Sequence, residues 1–173
     1  MVKNKTIATK PPPKEPRSGK PRKQRQKKTV AVNRKARFEY VIGEVMEAGL
    51  VLQGTEVKSL RLGRASIVDA YGSARGGEIW LWNVDIPPYS HGNMQNHEPK
   101  RGRKLLLQAR QVKKLIGELK VRGTTLIPLE LYFSTRGFAK VAIAVAKGKK
   151  EFEKRDTIKQ RDWKRQQSKL LKT

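Results

Sequence analysis

Tyr40-Val41-Ile42-Gly43-Glu44-Val45-Met46-Glu47-Ala48-Gly49-Leu50-Val51-Leu52, followed by Gln53-Gly54-Thr55-Glu56-Val57-Lys58-Ser59-Leu60-Arg61-Leu62-Gly63, is the stretch from which the fold can be read. Its first half is a strand through Met46, with Ala48-Gly49 marking a bend and Leu50-Val51-Leu52 resuming it. Long strands broken by glycine in this way suit small barrels, because a bulge or bend lets the sheet curl. The second half opens a short helix at Gly54-Thr55-Glu56 that runs to about Leu62. Thr55 is a candidate N-cap, Glu56 in the first turn suits the helix dipole, and Gly63 ends the helix.

Working outward, residues 69–75 and 78–86 form a hairpin around Gly76-Gly77, which supplies the positive φ values of a two-residue turn. Trp80, Trp82, Val84 and Ile86 alternate along its second strand and are read as sharing one face. Residues 87–104 read as a loop punctuated by Pro87-Pro88, Gly92, Asn93, Asn96, Pro99 and Gly102, ending in the basic run Lys100-Arg101-Gly102-Arg103-Lys104. A helix follows in which Val112, Leu115, Ile116 and Leu119 form one apolar stripe, and Gly123 closes it. Two more strands, 125–133 and 138–147, are joined by a turn at Ser134-Thr135-Arg136-Gly137. In the second of them Ala139, Val141, Ile143 and Val145 point inward, which leaves Lys140 pointing out. Five or so antiparallel strands with an inserted helix describe a mainly β, OB-like small antiparallel barrel with two packed helices.

Charge divides the chain differently. Among its 173 residues, 40 are Lys or Arg and 15 are Asp or Glu, a net charge of +25. Residues 1–35 carry a net +12, residues 147–173 a net +7, and the long middle only +6. Residues 1–32, rich in Lys, Arg, Pro and Gln, have too few large apolar side chains to offset chain entropy and are expected to be disordered in isolation. The barrel is expected over 33–150. The tail, 151–173, has helix-forming composition but a poor apolar stripe, so it is expected to be loose when free and to order on a partner. Such a field attracts polyanions. Membrane is the weaker partner, since no apolar stretch approaches the roughly 20 residues a span needs. The N-terminus lacks an apolar signal-peptide core, which points to the cytoplasm. With no cysteine, disulfides, thiolate catalysis and Cys-ligated zinc are excluded.

Nor do the residues assemble an enzyme. His91 and His97 are the two histidines, six apart in a polar loop without an accompanying acidic cluster, so loop hydrogen bonding outweighs a metal site. Lys147-Gly148-Lys149-Lys150 lacks the glycine spacing of a phosphate-binding loop. No catalytic residue, metal or cofactor is expected.

Several segments together resemble the SmpB family, the SsrA-binding (tmRNA-binding) proteins of bacterial trans-translation. They are Asn33-Arg34-Lys35-Ala36 leading to Glu39-Tyr40, the stretch from Glu47 to Arg61 quoted above, and Pro99-Lys100-Arg101-Gly102-Arg103-Lys104-Leu105-Leu106-Leu107. Val145-Ala146-Lys147-Gly148-Lys149-Lys150 follows, then Lys154-Arg155 with Ile158-Lys159 and Asp162-Trp163. The likeness runs in order from about Asn33 to the C-terminus and leaves 1–32 outside.

The resemblance implies an OB-fold barrel that binds the tRNA-like domain of tmRNA and delivers it to the A site of stalled ribosomes. The tail would read the empty decoding centre and mRNA channel. Implied partners are tmRNA, the ribosome (chiefly small-subunit rRNA) and, indirectly, elongation factor Tu with alanyl-tmRNA, and the protein would be a monomer. On the barrel it assigns tmRNA contacts to Arg34, Lys35, Tyr40, Glu47, Gly49, Glu56, Lys58, Ser59, Arg61, Leu106, Gln108, Lys140, Lys147, Lys149 and Lys150. On the tail it assigns ribosome contacts to Glu153, Lys154, Arg155, Ile158, Trp163, Leu170 and Leu171.

Taken alone, some of these residues have plainer readings. Glu47 reads as a solvated turn residue, Lys58 and Arg61 as an exposed helix face, and Leu106 as a core leucine. Gln108 stands where members often carry Asn or His, and Glu153 where they usually carry Asp. Two other functions compete: an RNA binder driven by charge alone, with steep salt dependence and little selectivity, and an enzyme dependent on His91 or His97.

Overall fold

The computed structural model describes residues 27–92 and 96–170. Along the chain come β1 (Lys28–Val32), α1 (Ala36–Glu39), β2 (Tyr40–Leu50), α2 (Gly54–Arg61), β3 (Tyr71–Arg75) and β4 (Glu78–Trp82). They are followed by β5 (Arg103–Leu106), α3 (Ala109–Leu119), β6 (Thr124–Phe133), β7 (Ala139–Gly148) and α4 (Glu151–Leu170).

All strand pairs are antiparallel, in the order β1-β6-β3-β4-β5-β2-β7, and β6 also pairs with β7. The circuit β6-β3-β4-β5-β2-β7 therefore closes on itself, with β1 added to β6. This is the OB-like barrel expected from the sequence, with six strands in the ring and seven in the sheet rather than about five. Closure has a narrow point: a single pair, Gly72 opposite Leu126, joins β3 to β6. A Cβ at Gly72 would lie 2.5 Å from Leu126 Cδ2, so only glycine lets the two strands meet there.

Inside the ring, Met46, Leu60, Ile79, Leu81, Leu126, Val141 and Ile143 belong to one buried cluster, against which the α3 stripe of Val112, Leu115, Ile116 and Leu119 packs. A second, small cluster of Ala36, Ile127 and Ala146 lies under α1, with Tyr40, Ile42 and Leu129 packed on it. This explains why β7 buries Ala144 and Ala146 as well as Val141 and Ile143, while Val145 stays half-buried: its far end is covered on both faces.

Five local expectations are corrected. β1 starts at Lys28, inside the stretch read as disordered, because Lys28, Thr29, Ala31 and Val32 pair with β6; residues 1–26 lie outside the described residues. β2 runs unbroken through Ala48-Gly49, and its irregularity falls between Ile42 and Val45. The helix cap is Gln53 rather than Thr55, with Gln53 and Glu56 forming a reciprocal capping box. Trp80 and Trp82 do not share a face with Val84 and Ile86. Asn83 adopts φ 57°, which ends the regular alternation, so Ile79 and Leu81 face the core and Val84 and Ile86 then turn inward. The stretch read as one loop over 87–104 also contributes the start of β5.

Candidate nucleic-acid interface

β2, β5, β7 and the ends of α2 and α3 enclose an open groove of about 850 Å³. Strand alternation and register bring its walls together. Gly49 on β2 stands opposite Leu106 on β5 and Lys140 on β7. Arg61 comes from the last turn of α2, and Gln108 from the cap of α3, where its side chain and that of Gln111 form a second capping box. Thus Glu47, Gly49, Arg61, Leu106, Gln108 and Lys140, scattered over 94 positions of sequence, line one surface. The floor is apolar: Leu50, Leu52, Val57, Leu107, Phe133 and Phe138.

Leu106 is 54% exposed, so its reading as a core residue is wrong; Arg103 and Leu105 take the inward positions of β5. A Cβ on Gly49 would sit 3.2 Å from Leu106 Cβ, so glycine leaves that leucine its place. Glu47 receives hydrogen bonds from Lys140 Nζ and from the Tyr132 hydroxyl, yet half of its side chain remains open to water. The lysine balances the carboxylate and fixes its direction, leaving acceptor capacity facing the groove. Tyr132 was missed by sequence reading, since nothing local marks its hydroxyl as the partner of a glutamate 85 residues away.

A second basic patch lies at the other end of β7. Lys147, opposite Val41 and Thr124, is about 23 Å along the strand from Lys140 at 3.3 Å per residue. Tyr40 pairs with Gly148, the Lys149 backbone N–H donates to Glu39 O (2.9 Å), and Lys149 Nζ donates to Arg37 O (3.1 Å). Arg34 and Lys35 are exposed on the turn into α1. Buried Asn33 holds that turn: its Oδ1 accepts from Ala36 N (3.0 Å), and its Nδ2 donates to Ile67 O and Val68 O (both 3.4 Å). Apart from Glu56, Lys58 and Ser59, the barrel residues assigned by resemblance therefore fall into two patches rather than one.

From the second patch rises α4. Glu153 accepts from the Lys150 backbone N–H (2.9 Å), which caps the helix start, and Arg155 pairs with Glu151 one turn away (2.8 Å). The tail expected to be loose when free is a helix here, because these local contacts and its composition favour one even with a poor stripe. Ile158 and Trp163 are exposed. Lys154 donates its backbone N–H to Lys150 O within the first turn (3.2 Å). Leu170 is the last residue of α4, and Leu171 lies outside the described residues.

Glu56 and Ser59 are withdrawn from any surface role, for both are fully buried. The Ser59 hydroxyl donates to Pro87 O (2.8 Å). Glu56 accepts from Gln53 N (2.7 Å), Arg103 Nε (2.9 Å) and Arg101 Nε (2.9 Å). Burial pushes its carboxyl upward, but the Arg101 hydrogen bond, the Gln53 N–H and the charges of Arg103 and Arg101 outweigh this and hold it below the ordinary carboxylate range. Arg103, equally buried, also donates to Pro99 O (2.8 Å), Arg101 O (3.1 Å) and Val84 O. Two arginines of the basic run thus pin the 97–103 loop onto α2 instead of facing RNA. Lys58 is exposed but turns toward the Tyr89 ring (5.4 Å), while Arg61 turns toward the groove.

The histidines are both engaged locally. His97 is buried, its Nε2–H donating to Ile86 O (2.9 Å) and its Nδ1 meeting the Thr55 hydroxyl (2.9 Å); His91 Nδ1 meets the Ser90 hydroxyl (3.1 Å). Among the described residues no group of three or more His, Cys, Asp or Glu side chains is placed to hold a metal ion.

Comparison with known proteins gives one consistent answer. Residues 30–173 match the SmpB protein family. The SsrA-binding protein of Sphingopyxis alaskensis is 57% identical over 147 residues, 85% of this chain and 91% of the relative. That of Caulobacter vibrioides is 55% identical over 145 residues, 84% of this chain and 95% of the relative. Among solved structures, one described as "tmRNA-SmpB: a journey to the center of the bacterial ribosome" matches with a TM-score of 0.60 and 45% identity, over 69% of this chain and 84% of that one.

Proposed function

The chain belongs to the SmpB family, and from that premise we propose that it binds the tRNA-like domain of tmRNA and delivers it to the A site of stalled ribosomes for trans-translation. The observation that carries this reading is the convergence of Glu47, Gly49, Arg61, Leu106, Gln108 and Lys140 on one groove. Its chemistry suits structured RNA: Arg61 and Lys140 attract phosphate, Glu47 and Gln108 offer hydrogen-bonding groups to base edges, and the apolar floor accepts a base or ribose face. The patch of Arg34, Lys35, Lys147, Lys149 and Lys150 extends the contact with the RNA backbone.

The tail carries a separate task. Lys154, Arg155, Ile158 and Trp163 on α4 suit contact with rRNA in the decoding centre and vacant mRNA channel, with Glu153 shaping the start of the helix. The protein works by binding, with no chemical step and no cofactor. Alanyl-tmRNA and elongation factor Tu arrive with it, and the place of work is the cytoplasm. No helix among the described residues is long and apolar enough to cross a membrane.

Reconstituted translation of a message without a stop codon tests this. Adding the protein with alanyl-tmRNA and elongation factor Tu releases stalled chains carrying the tag. A chain truncated after Lys150 keeps its affinity for tmRNA and yields no tagged peptide. If truncation abolishes tmRNA binding as well, the division between barrel and tail is wrong.

A further inference from the structure

The outer face of β3, β4 and β5 carries an aromatic cluster that the groove does not use. Alternation turns Tyr71, Ser73 and Arg75 outward from β3, Glu78, Trp80 and Trp82 from β4, and Lys104 and Leu106 from β5. Across the strands Tyr71 stands opposite Trp82, Ser73 opposite Trp80, and Trp80 opposite Lys104. The two indoles are stacked, with centroids 6.3 Å apart and planes 28° from parallel. Trp82 is fixed from two sides: its Nε1–H donates to Ser73 Oγ (2.9 Å), and its ring lies so close over Gly102 that a Cβ there would come within 2.7 Å. Tyr71 is 45% exposed and stands at the lip of a second cavity, about 420 Å³, between β3 and α3. Ser73, Lys120, Thr124 and Thr125 give that cavity its polar lining.

We infer that this platform is a second RNA-contact surface, on which an unpaired base of the RNA held in the groove stacks on Tyr71 beside Trp82 while its phosphate meets Lys120. The inference rests on the proposed tmRNA reading and extends it to a face which that reading leaves idle. Continuity with the groove is its first support. Leu106 lines the groove, and Lys104, two residues before it on the same face of β5, flanks Trp80. From β3 through β4 to β5, whose Leu106 lines the groove, is two strand spacings, about 10 Å along the outer surface. Charge is the second. Arg75, Lys104 and Lys120 outnumber Glu78, which is already paired with Lys104. Shielding of the sheet explains the half-burial of the two indoles, but it does not require the exposed tyrosine at a polar cavity. A ring face held in place in this way accepts any base, because every base has a π-face.

Tyr71→Ala and Tyr71→Phe test the inference, since an exposed side chain can be exchanged without touching the core. Dissociation constants for the tRNA-like domain of tmRNA are measured at several salt concentrations, with thermal unfolding as a check on the fold. Tyr71→Ala raises the constant by about 5- to 150-fold with an unchanged salt slope, because a stack is lost and no phosphate contact is, and Tyr71→Phe restores wild-type binding. Wild-type affinity in Tyr71→Ala overturns the platform while leaving the groove reading intact. A Tyr71→Phe variant as weak as Tyr71→Ala also overturns it, since the hydroxyl rather than the ring would be the contact. A wild-type protein that does not prefer the tRNA-like domain over an unrelated structured RNA overturns the tmRNA reading, and the platform falls with it.

Discussion

Glu56 accepts from one backbone N–H and two guanidinium groups with its side chain wholly out of water. Nine residues earlier, Glu47 holds one lysine and one tyrosine with half its surface open. The family likeness marks both carboxylates and cannot separate them, because a scaffold clamp and a proposed RNA contact leave the same trace in sequence. Burial separates them. Glu56→Gln leaves Arg103 buried without its counter-charge, so unfolding free energy falls by about 3–5 kcal/mol in a denaturant titration at neutral pH. The pH dependence has a definite sign. A carboxyl held below its ordinary value of about 4.3 stabilises the fold above that pH and loses its contribution as pH falls through the lowered folded value. The acid limb of the stability curve is therefore flatter in Glu56→Gln. Leu106 behaves oppositely. At 54% exposure, Leu106→Ala shifts stability by no more than about 0.5 kcal/mol. It removes apolar contact with RNA, so tmRNA affinity drops about 5- to 10-fold in a direct binding assay.

Among the elements, those with a clean local period were legible. The α3 stripe, the β6–β7 hairpin and the Gly76-Gly77 turn (φ 59° and 77°) follow from spacing and turn chemistry. Elements decided by distant partners were not. β1 is apolar only at Val30, Ala31 and Val32 and exists because β6 offers it an edge. The Trp80-x-Trp82-x-Val84-x-Ile86 alternation is regular on paper, and the left-handed Asn83 that shifts its parity has no signal beyond the residue type itself. Gly72 likewise reads as an ordinary glycine in a strand until Leu126 is seen against it. Gly72→Ala crowds the one β3–β6 ladder pair among the described residues, and overpacking of this kind costs about 1–3 kcal/mol. The lowered midpoint should appear in thermal unfolding. Amide exchange should accelerate first at β3 and around Leu126, and an unchanged exchange pattern there would show that closure does not depend on this contact.

For the molecule as a whole, charge and recognition are placed differently. Residues 1–35 and 147–173 carry a net +12 and +7, whereas the middle, with the groove, carries +6. Sequence composition was enough to find a polyanionic partner, and the barrel class followed from strand count and turn signals. What it could not supply was convergence: residues 47, 49, 61, 106, 108 and 140 meet only when β2 pairs with both β5 and β7. On the proposed reading, selective recognition is thus a property of the closed sheet, and the flanking charge adds affinity for any RNA. The most direct measurement is a side-by-side titration of the full chain with the tRNA-like domain of tmRNA and with an unrelated structured RNA of equal length, repeated across salt concentrations. The two affinities should fall with salt along similar slopes while their ratio stays well above one, because phosphate contacts are shared and groove contacts are not. Equal affinities at every salt concentration would mean that charge alone binds RNA, contradicting the assignment of recognition to the groove.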